Sequence, residues 1–307
     1  MAGGCRPPTP TLTIPISNWP GYEYFYLAEQ RNLGAAEGLR VRTLEFADPQ
    51  EIVHAYLRGD LSLAQLTTVE AVDICARTPD RCPVVVLVLD ESRGADQLVA
   101  RPGIRSIQEL RGQPVAVTQS TLGPYVLSRA LEQNGMNLQD VKIRTMPLDA
   151  MPAALASGSV QAAALFPPYS DQAIAQAGAT RLFDSRAIPS EIFDILVVDP
   201  QALPELKASL PKLLHVWQEA HDLRRRQPQQ AIPLMARRQR IAAREFEQAE
   251  LGLRYFPLAQ QRSLLRAGGP FERNLRNVQR VQILLRLVKP GSPLPPVSDA
   301  SLRAALR

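Results

Sequence analysis

The chain has 307 residues, of which 45% are hydrophobic, 21% charged and 6% aromatic. That is enough apolar material for one large or two ordinary domains, and it excludes a disordered tail protein or a disulfide-stapled miniprotein. The formal charge of +5, from 35 basic and 30 acidic residues with no basic block longer than Arg224-Arg225-Arg226, does not point to nucleic acid.

Short apolar runs at 12–16, 41–46, 61–66 and 84–89 predict strands, separated by helical stretches at 24–30, 49–57 and 69–75. Strand then helix, repeated, implies a sheet covered by helices. After Gly94 the pattern restarts, with strands expected at 98–100, 115–118, 141–146 and 162–166 and helices at 125–133 and 151–156. Beyond a last strand at 195–198 the strands are expected to stop. Helical apolar spacing then covers 203–226, 228–235, 244–253, 258–265 and 273–288. The fold class is therefore α/β: two units of similar size with a cleft between them and a helical C-terminal tail. Ligands of such units collect at the carboxyl ends of strands. No segment approaches the roughly 18 consecutive apolar residues of a membrane-spanning helix.

The three cysteines carry separate expectations. Cys5 follows Ala2-Gly3-Gly4 and precedes a Pro-rich stretch to Pro10. Small residues ahead of a Cys resemble the lipobox of bacterial lipoproteins, so residues 1–10 are expected to be a tether lipidated at Cys5, with an incidental Cys as the alternative. Cys75 and Cys82 lie seven apart, where a helix end runs into a loop with Pro79 and Pro83. They form either a short disulfide, which an oxidising periplasm permits, or two ordinary thiols.

Several loops after the strands hold candidate ligand groups. Trp19 and Tyr22 sit in a Pro-Gly turn, whereas Tyr24 and Phe25 on the following helix read as core. Thr67, Thr68 and Glu70 follow the third strand and serve either as a helix cap or as ligand contacts. The polar run Asp90 to Asp96 marks a crossing between the units. In Gln119-Ser120-Thr121-Leu122-Gly123-Pro124-Tyr125, hydroxyls and a Gly precede a helix whose first turn holds Pro124. Free N–H groups there suit an oxyanion or a polar ligand edge, and an ordinary cap is the alternative. Phe166-Pro167-Pro168-Tyr169 repeats the arrangement and presents Tyr169. Asp184 to Arg186 and Glu191 to Asp194 flank the second crossing.

Enzyme equipment is sparse. His54, His215 and His221 have no partner at metal-ligand spacing, and the last two lie on a helix read as solvated. There is no G-x-S-x-G elbow. No metal, cofactor or catalytic residue is expected.

Five segments in fixed order carry a resemblance: TIPISNWPGYEYFYLAEQRNL, GDLSLAQLTTVEAVDI, VLDESRGADQLVAR, SIQELRGQPVAVTQSTLGPYVLSRALEQNG and LFDSRAIPSEIFDILVV. Over residues 11–198 the chain resembles the substrate-binding proteins of the nitrate, sulfonate and taurine ABC transporter group, with relatives among thiamine-pyrimidine synthesis proteins. The resemblance implies a type 2 periplasmic-binding-protein fold. Lobe one would span 11–95 plus 195–307, lobe two 96–194, with two hinge strands between. By the same resemblance the cleft would be lined by Trp19, Tyr22, Thr68, Glu70, Asp96, Ser120, Thr121, Gly123 and Asp194, with Tyr125 and Tyr169 added from the residues themselves. The Glu that relatives often place before the Pro of Phe166-Pro167-Pro168-Tyr169 is absent. The implied protein is a monomeric solute receptor of the periplasm or the outer face of the cytoplasmic membrane that passes a small ligand to an ABC permease. A sensor module or a pyrimidine-synthase-like enzyme is the alternative. Aromatic rings with carboxylates suit a nitrogenous or cationic ligand, a helix start suits a sulfonate, and a zwitterion satisfies both.

Overall fold

The computed structural model describes residues 9–307; Cys5 and all but the last two residues of the expected tether lie outside the described residues. The first lobe opens with β1 (Thr11–Ile16), α1 (Glu23–Gln30), β2 (Arg40–Glu45), α2 (Pro49–Arg58), β3 (Leu63–Thr67), α3 (Thr68–Arg77) and β4 (Val84–Ser92). Local chemistry sets these boundaries. Asp48 accepts the Gln50 N–H at 2.8 Å, Pro49 opens α2, and Gly59 closes it in the left-handed region at φ +86°. The second lobe is β5 (Gln97–Ala100), β6 (Pro114–Val117), α4 (Leu122–Glu132), β7 (Lys142–Thr145), α5 (Met151–Ser157), β8 (Ala162–Leu165), α6 (Tyr169–Ala177) and β9 (Thr180–Asp184). The chain returns through β10 (Phe193–Val198) and closes with α7 (Leu203–Leu206), α8 (Leu210–Arg226), α9 (Pro228–Arg238), α10 (Ala243–Glu250), β11 (Leu253–Tyr255), α11 (Leu258–Leu264), α12 (Pro270–Leu284) and α13 (Ala300–Ala305).

Both lobes follow one plan. The second sheet runs β7-β6-β8-β5-β9, parallel except for β5, which is antiparallel to β8 and β9. In the first lobe β2 and β1 pair in parallel, β1 lies beside β3, and β10 runs antiparallel between β3 and β4. β5 and β10, each entered as the chain arrives from the other lobe, thus both run antiparallel to their sheet neighbours. The crossings are fastened together: Ser92 Oγ and Ser185 Oγ are 2.8 Å apart, the Gly94 N–H donates to Ser185 Oγ at 2.6 Å, and the Ser185 N–H donates to the Asp96 carbonyl at 2.9 Å.

The structure departs from the sequence expectations in several places. Strands do not stop at 198, because β11 pairs with Asp90–Ser92 on the edge of β4. The helix expected at 244–253 therefore ends at Glu250. The helix expected at 203–226 breaks into α7 and α8, since Pro211 has no N–H to continue the ladder and can sit only in the first turn of α8. β9 and α6 carry too little apolar periodicity to have been assigned. The helix read as solvated is a core element. His221 is partly buried, with its ring stacked on Tyr24 at 3.4 Å and 4.2 Å from Trp217, and burial holds it well below the usual histidine range. Cys75 and Cys82 are bonded to each other, joining the end of α3 to the residue before β4.

One buried side chain completes the first sheet. β11 runs out at Tyr255, opposite Asp90. Two residues along, Gln261 on α11 takes over: its Oε1 accepts the Val88 N–H at 3.0 Å, and its Nε2 donates to the carbonyls of Val88 at 2.6 Å and Phe256 at 2.7 Å. Replacing it with an apolar residue leaves buried backbone groups of β4 unpaired. Gln261→Leu is expected to lower stability in denaturant unfolding by about 2–4 kcal/mol, and Gln260→Leu on the exposed face by less than about 0.5 kcal/mol.

Candidate functional site

The carboxyl ends of β1, β3, β6 and β8 face one another across the gap between the lobes. The loop after β1 places Trp19 and Tyr22, both about 95% buried, over two carboxylates from the crossing strands. The Trp19 indole N–H donates to Asp90 Oδ2 at 3.3 Å, and the Tyr22 hydroxyl donates to Asp194 Oδ1 at 2.6 Å. Gly21 is obligatory there, since a Cβ on it would overlap the Asp90 carboxylate. At the end of β3, Thr67 caps α3. Its hydroxyl accepts the Glu70 N–H at 3.2 Å, while Glu70 Oε2 accepts the Thr67 N–H and hydroxyl at 2.9 and 3.0 Å.

From the second lobe come Asp96, Thr118, Ser120, Leu122, Gly123 and Phe166. Two narrow cavities of about 20 Å³ each run between the faces, and Glu70, Asp96, Leu122 and Phe166 line both. The lobes touch where the Trp19 and Phe166 rings meet edge to face at 5.3 Å and where Asn18 Nδ2 donates to the Tyr169 hydroxyl at 3.2 Å. This is a closed arrangement. Outside it lies an open cavity of about 640 Å³, lined by Asn18, Asp48, His54, Gln119, Asp149, Tyr169 and Arg238 among others. Asp48 and Leu148 belong to the walls of both the inner gap and this mouth.

Of the residues singled out in sequence, Trp19, Tyr22, Glu70, Asp96, Ser120, Gly123 and Asp194 meet in the inner gap, and Tyr169 stands at the mouth. Three do not line these cavities. Thr68 is fully buried behind its neighbour, with its hydroxyl 3.4 Å from the Phe193 N–H, and Thr67 takes its place. Thr121 has a buried hydroxyl without a partner but lies off the gap. Tyr125 donates to Glu191 at 2.8 Å beside the Arg129–Glu191 ion pair, which fastens α4 to the return crossing. Gly123 serves packing as well, because a Cβ there would crowd Thr118 at 2.8 Å. Sequence reasoning missed Ser17 and Asp48, and it read Asp90 only as part of a hinge.

A model of the NMT1-like family matches residues 6–238. The chain belongs to the NMT1-like family. A Brucella abortus (strain 2308) protein named as a candidate binding protein is 22% identical over 232 residues, 72% of this chain and 69% of its own. The alkanesulfonate-binding protein of Xanthomonas axonopodis pv. citri, solved bound to MOPS, superposes with a TM-score of 0.78 at 15% identity over 95% of this chain and 97% of that one. The desulfurization enzyme DszB, solved as a Cys-to-Ser mutant with biphenyl-2-sulfinic acid, superposes with a TM-score of 0.70 at 15% identity over 97% and 99%. The NMT1-like chain has the periplasmic-binding-protein fold expected from its sequence.

Burial dominates the electrostatics of the gap in this NMT1-like protein. It pushes Glu70 up to about 7 and Asp96 up to about 6. It also raises Asp90 and Asp194, and the Asp90 charge raises Asp194 further. A carboxyl whose folded pKa is raised binds protons in the folded state before the unfolded chain does at about pH 4. The stability it contributes is full below that pH and lost as pH rises through 6 to 7. The melting temperature of the ligand-free protein is therefore expected to rise by ~3 °C or more between about pH 7.5 and about pH 5.5 in scanning fluorimetry. Asp96→Asn together with Glu70→Gln should flatten that slope, and a fall over the same range contradicts the assignment.

Proposed function

We propose that this protein is an extracytoplasmic solute receptor that captures a small polar ligand between its lobes and presents the closed form to an ABC transporter permease. The observation that carries the reading is the gap itself. It holds buried polar atoms without partners, Ser17 Oγ, Asp96 Oδ2 and Asp194 Oδ2, and is shut by the Trp19–Phe166 and Asn18–Tyr169 contacts from opposite lobes. Unpaired buried acceptors cost stability unless a ligand supplies donors, so ligand and closure favour each other. A ligand that contacts both lobes binds the closed state better than the open one, and that difference is what shifts the equilibrium.

The relatives support the same reading, since the superposed Xanthomonas protein binds alkanesulfonates and the Brucella relative is named for binding. The DszB likeness shows that this fold also hosts an enzyme, but the inner gap of this chain offers carboxylates and hydroxyls without a His or Cys beside them. The Cys75–Cys82 bond fits an oxidising compartment. Lipid attachment at Cys5 and a monomeric state complete the proposal.

Tryptophan emission tests it. The chain has two tryptophans, Trp19 in the gap and Trp217 in the core, so a Trp217→Phe background reports the cleft alone. Ligand addition is expected to give a saturable change in Trp19 emission with the ligand recovered chemically intact, and Trp19→Ala should weaken binding about tenfold or more. Steady consumption of the ligand would overturn the receptor reading in favour of an enzyme.

A further inference from the structure

We infer that the inner gap is a cation site: it holds the ammonium or guanidinium head of an elongated ligand whose remainder lies in the mouth cavity. The inference rests on reading the gap as the solute site. Its first support is the composition of the walls. Asp48, Glu70, Asp96 and Asp194 line the two inner cavities, and no Lys, Arg or His does. Two arginines line the mouth, Arg238, which is engaged with Glu23, the Ser17 carbonyl and Asn18, and Arg240, and neither lines the inner gap.

The second support is the hydrogen-bond inventory. Most side-chain donors of the gap are already used: Trp19 on Asp90, Tyr22 on Asp194, the Thr67 hydroxyl on Glu70, and one of Thr118 and Ser120 on the other at 2.8 Å. What remains open is two carboxyl oxygens and two hydroxyls, that of Ser17 and one of the Thr118–Ser120 pair. Asp194 Oδ2 and Asp96 Oδ2 are 98% or more buried residues' oxygens with no partner, and the fully buried Ser17 hydroxyl adds one more unpaired group in the same wall. A sulfonate brings only acceptors to such a place, whereas an ammonium or guanidinium brings three to five donors and the compensating charge. The rings of Trp19, Tyr22 and Phe166 enclose the same space and favour a cation over their faces.

Size fixes the ligand's shape. Each inner cavity, about 20 Å³, has room for one nitrogen-sized group; the mouth of about 640 Å³ shares the Asp48 and Leu148 walls with one of them, which in turn shares Pro49, Glu70, Asp96, Leu122 and Phe166 with the other. The ligand therefore enters head first.

Titration calorimetry of the full chain with agmatine, putrescine, the neutral isostere 1,4-butanediol and ethanesulfonate tests the inference. At least one of the two cations is expected to bind, and the diol and the sulfonate are not. Asp96→Asn and Asp194→Asn should each weaken cation binding more than thirtyfold while raising the melting temperature of the free protein, which shows that the variants fold. Asp60→Asn, an exposed carboxylate that lines neither the gap nor the mouth, should change it less than threefold. Binding of ethanesulfonate alone, or cation binding that survives both amide variants, overturns the cation site and leaves ligand capture standing. If none of the four compounds binds, the cation site is overturned. If the same preparation consumes one of them, the receptor reading falls with it.

Discussion

The molecule is organised around a costly cluster of buried carboxyl groups. Glu70, Asp96 and Asp194 line one narrow gap with no basic side chain in its walls, Asp90 lies beside Asp194 on the neighbouring strand, and Asp90, Asp96 and Asp194 each leave an oxygen without a partner. A core of this kind is not selected for stability, since buried carboxylates without counterions destabilise the fold. It persists because the surrounding apolar core is large and because the groups are held by specific donors, Trp19, Tyr22 and Thr67. The deficit in charge and in donors is what a ligand corrects, and that is the link between the fold and its function.

The architecture explains why the carboxylates come from so many places in the sequence. Each lobe lends the other one strand, β5 going one way and β10 the other, so the residues at the crossings belong to both lobes at once. Asp90 and Asp194 lie opposite each other on β4 and β10, and Asp96 lies at the start of the outgoing path. The serine and glycine contacts between the two crossings keep the carboxylates in register. Closure is then carried by short loops, with Trp19 meeting Phe166 and Asn18 meeting Tyr169 across the gap. The bond between Cys75 and Cys82 and the side chain of Gln261 tie the elements of the first lobe to one another.

Much of this was legible in the sequence because alternation of strand and helix fixes where loops fall, and loops after strands are where ligands sit. Trp19, Tyr22, Glu70 and Ser120 were singled out in that way, Asp96 and Asp194 through the family resemblance, and the structure brings all six to the gap. The errors have physical causes. Thr68 was preferred to Thr67, but the residue that ends β3 and caps α3 faces the gap, and the next one turns behind it. Tyr125 was placed in the cleft on the assumption that the helix starts there. α4 starts at Leu122, which turns Tyr125 towards Glu191. Asp90 was hidden because β4 continues as a strand through polar residues to Ser92, and an apolar run is no guide to where such a strand ends. His221 was misjudged because α8 is polar in composition yet is covered by the tail.

The most direct measurement is a crystal structure of the protein with a bound small cation such as agmatine, compared with one of the free protein. The account requires the cationic nitrogen to lie within hydrogen-bond distance of both Asp96 and Asp194, with the lobes closed over it at Trp19 and Phe166 and farther apart in the free crystal. A cation seated only in the outer mouth, or lobes whose separation is the same with and without it, would contradict the claim that the buried carboxylates are the seat of capture.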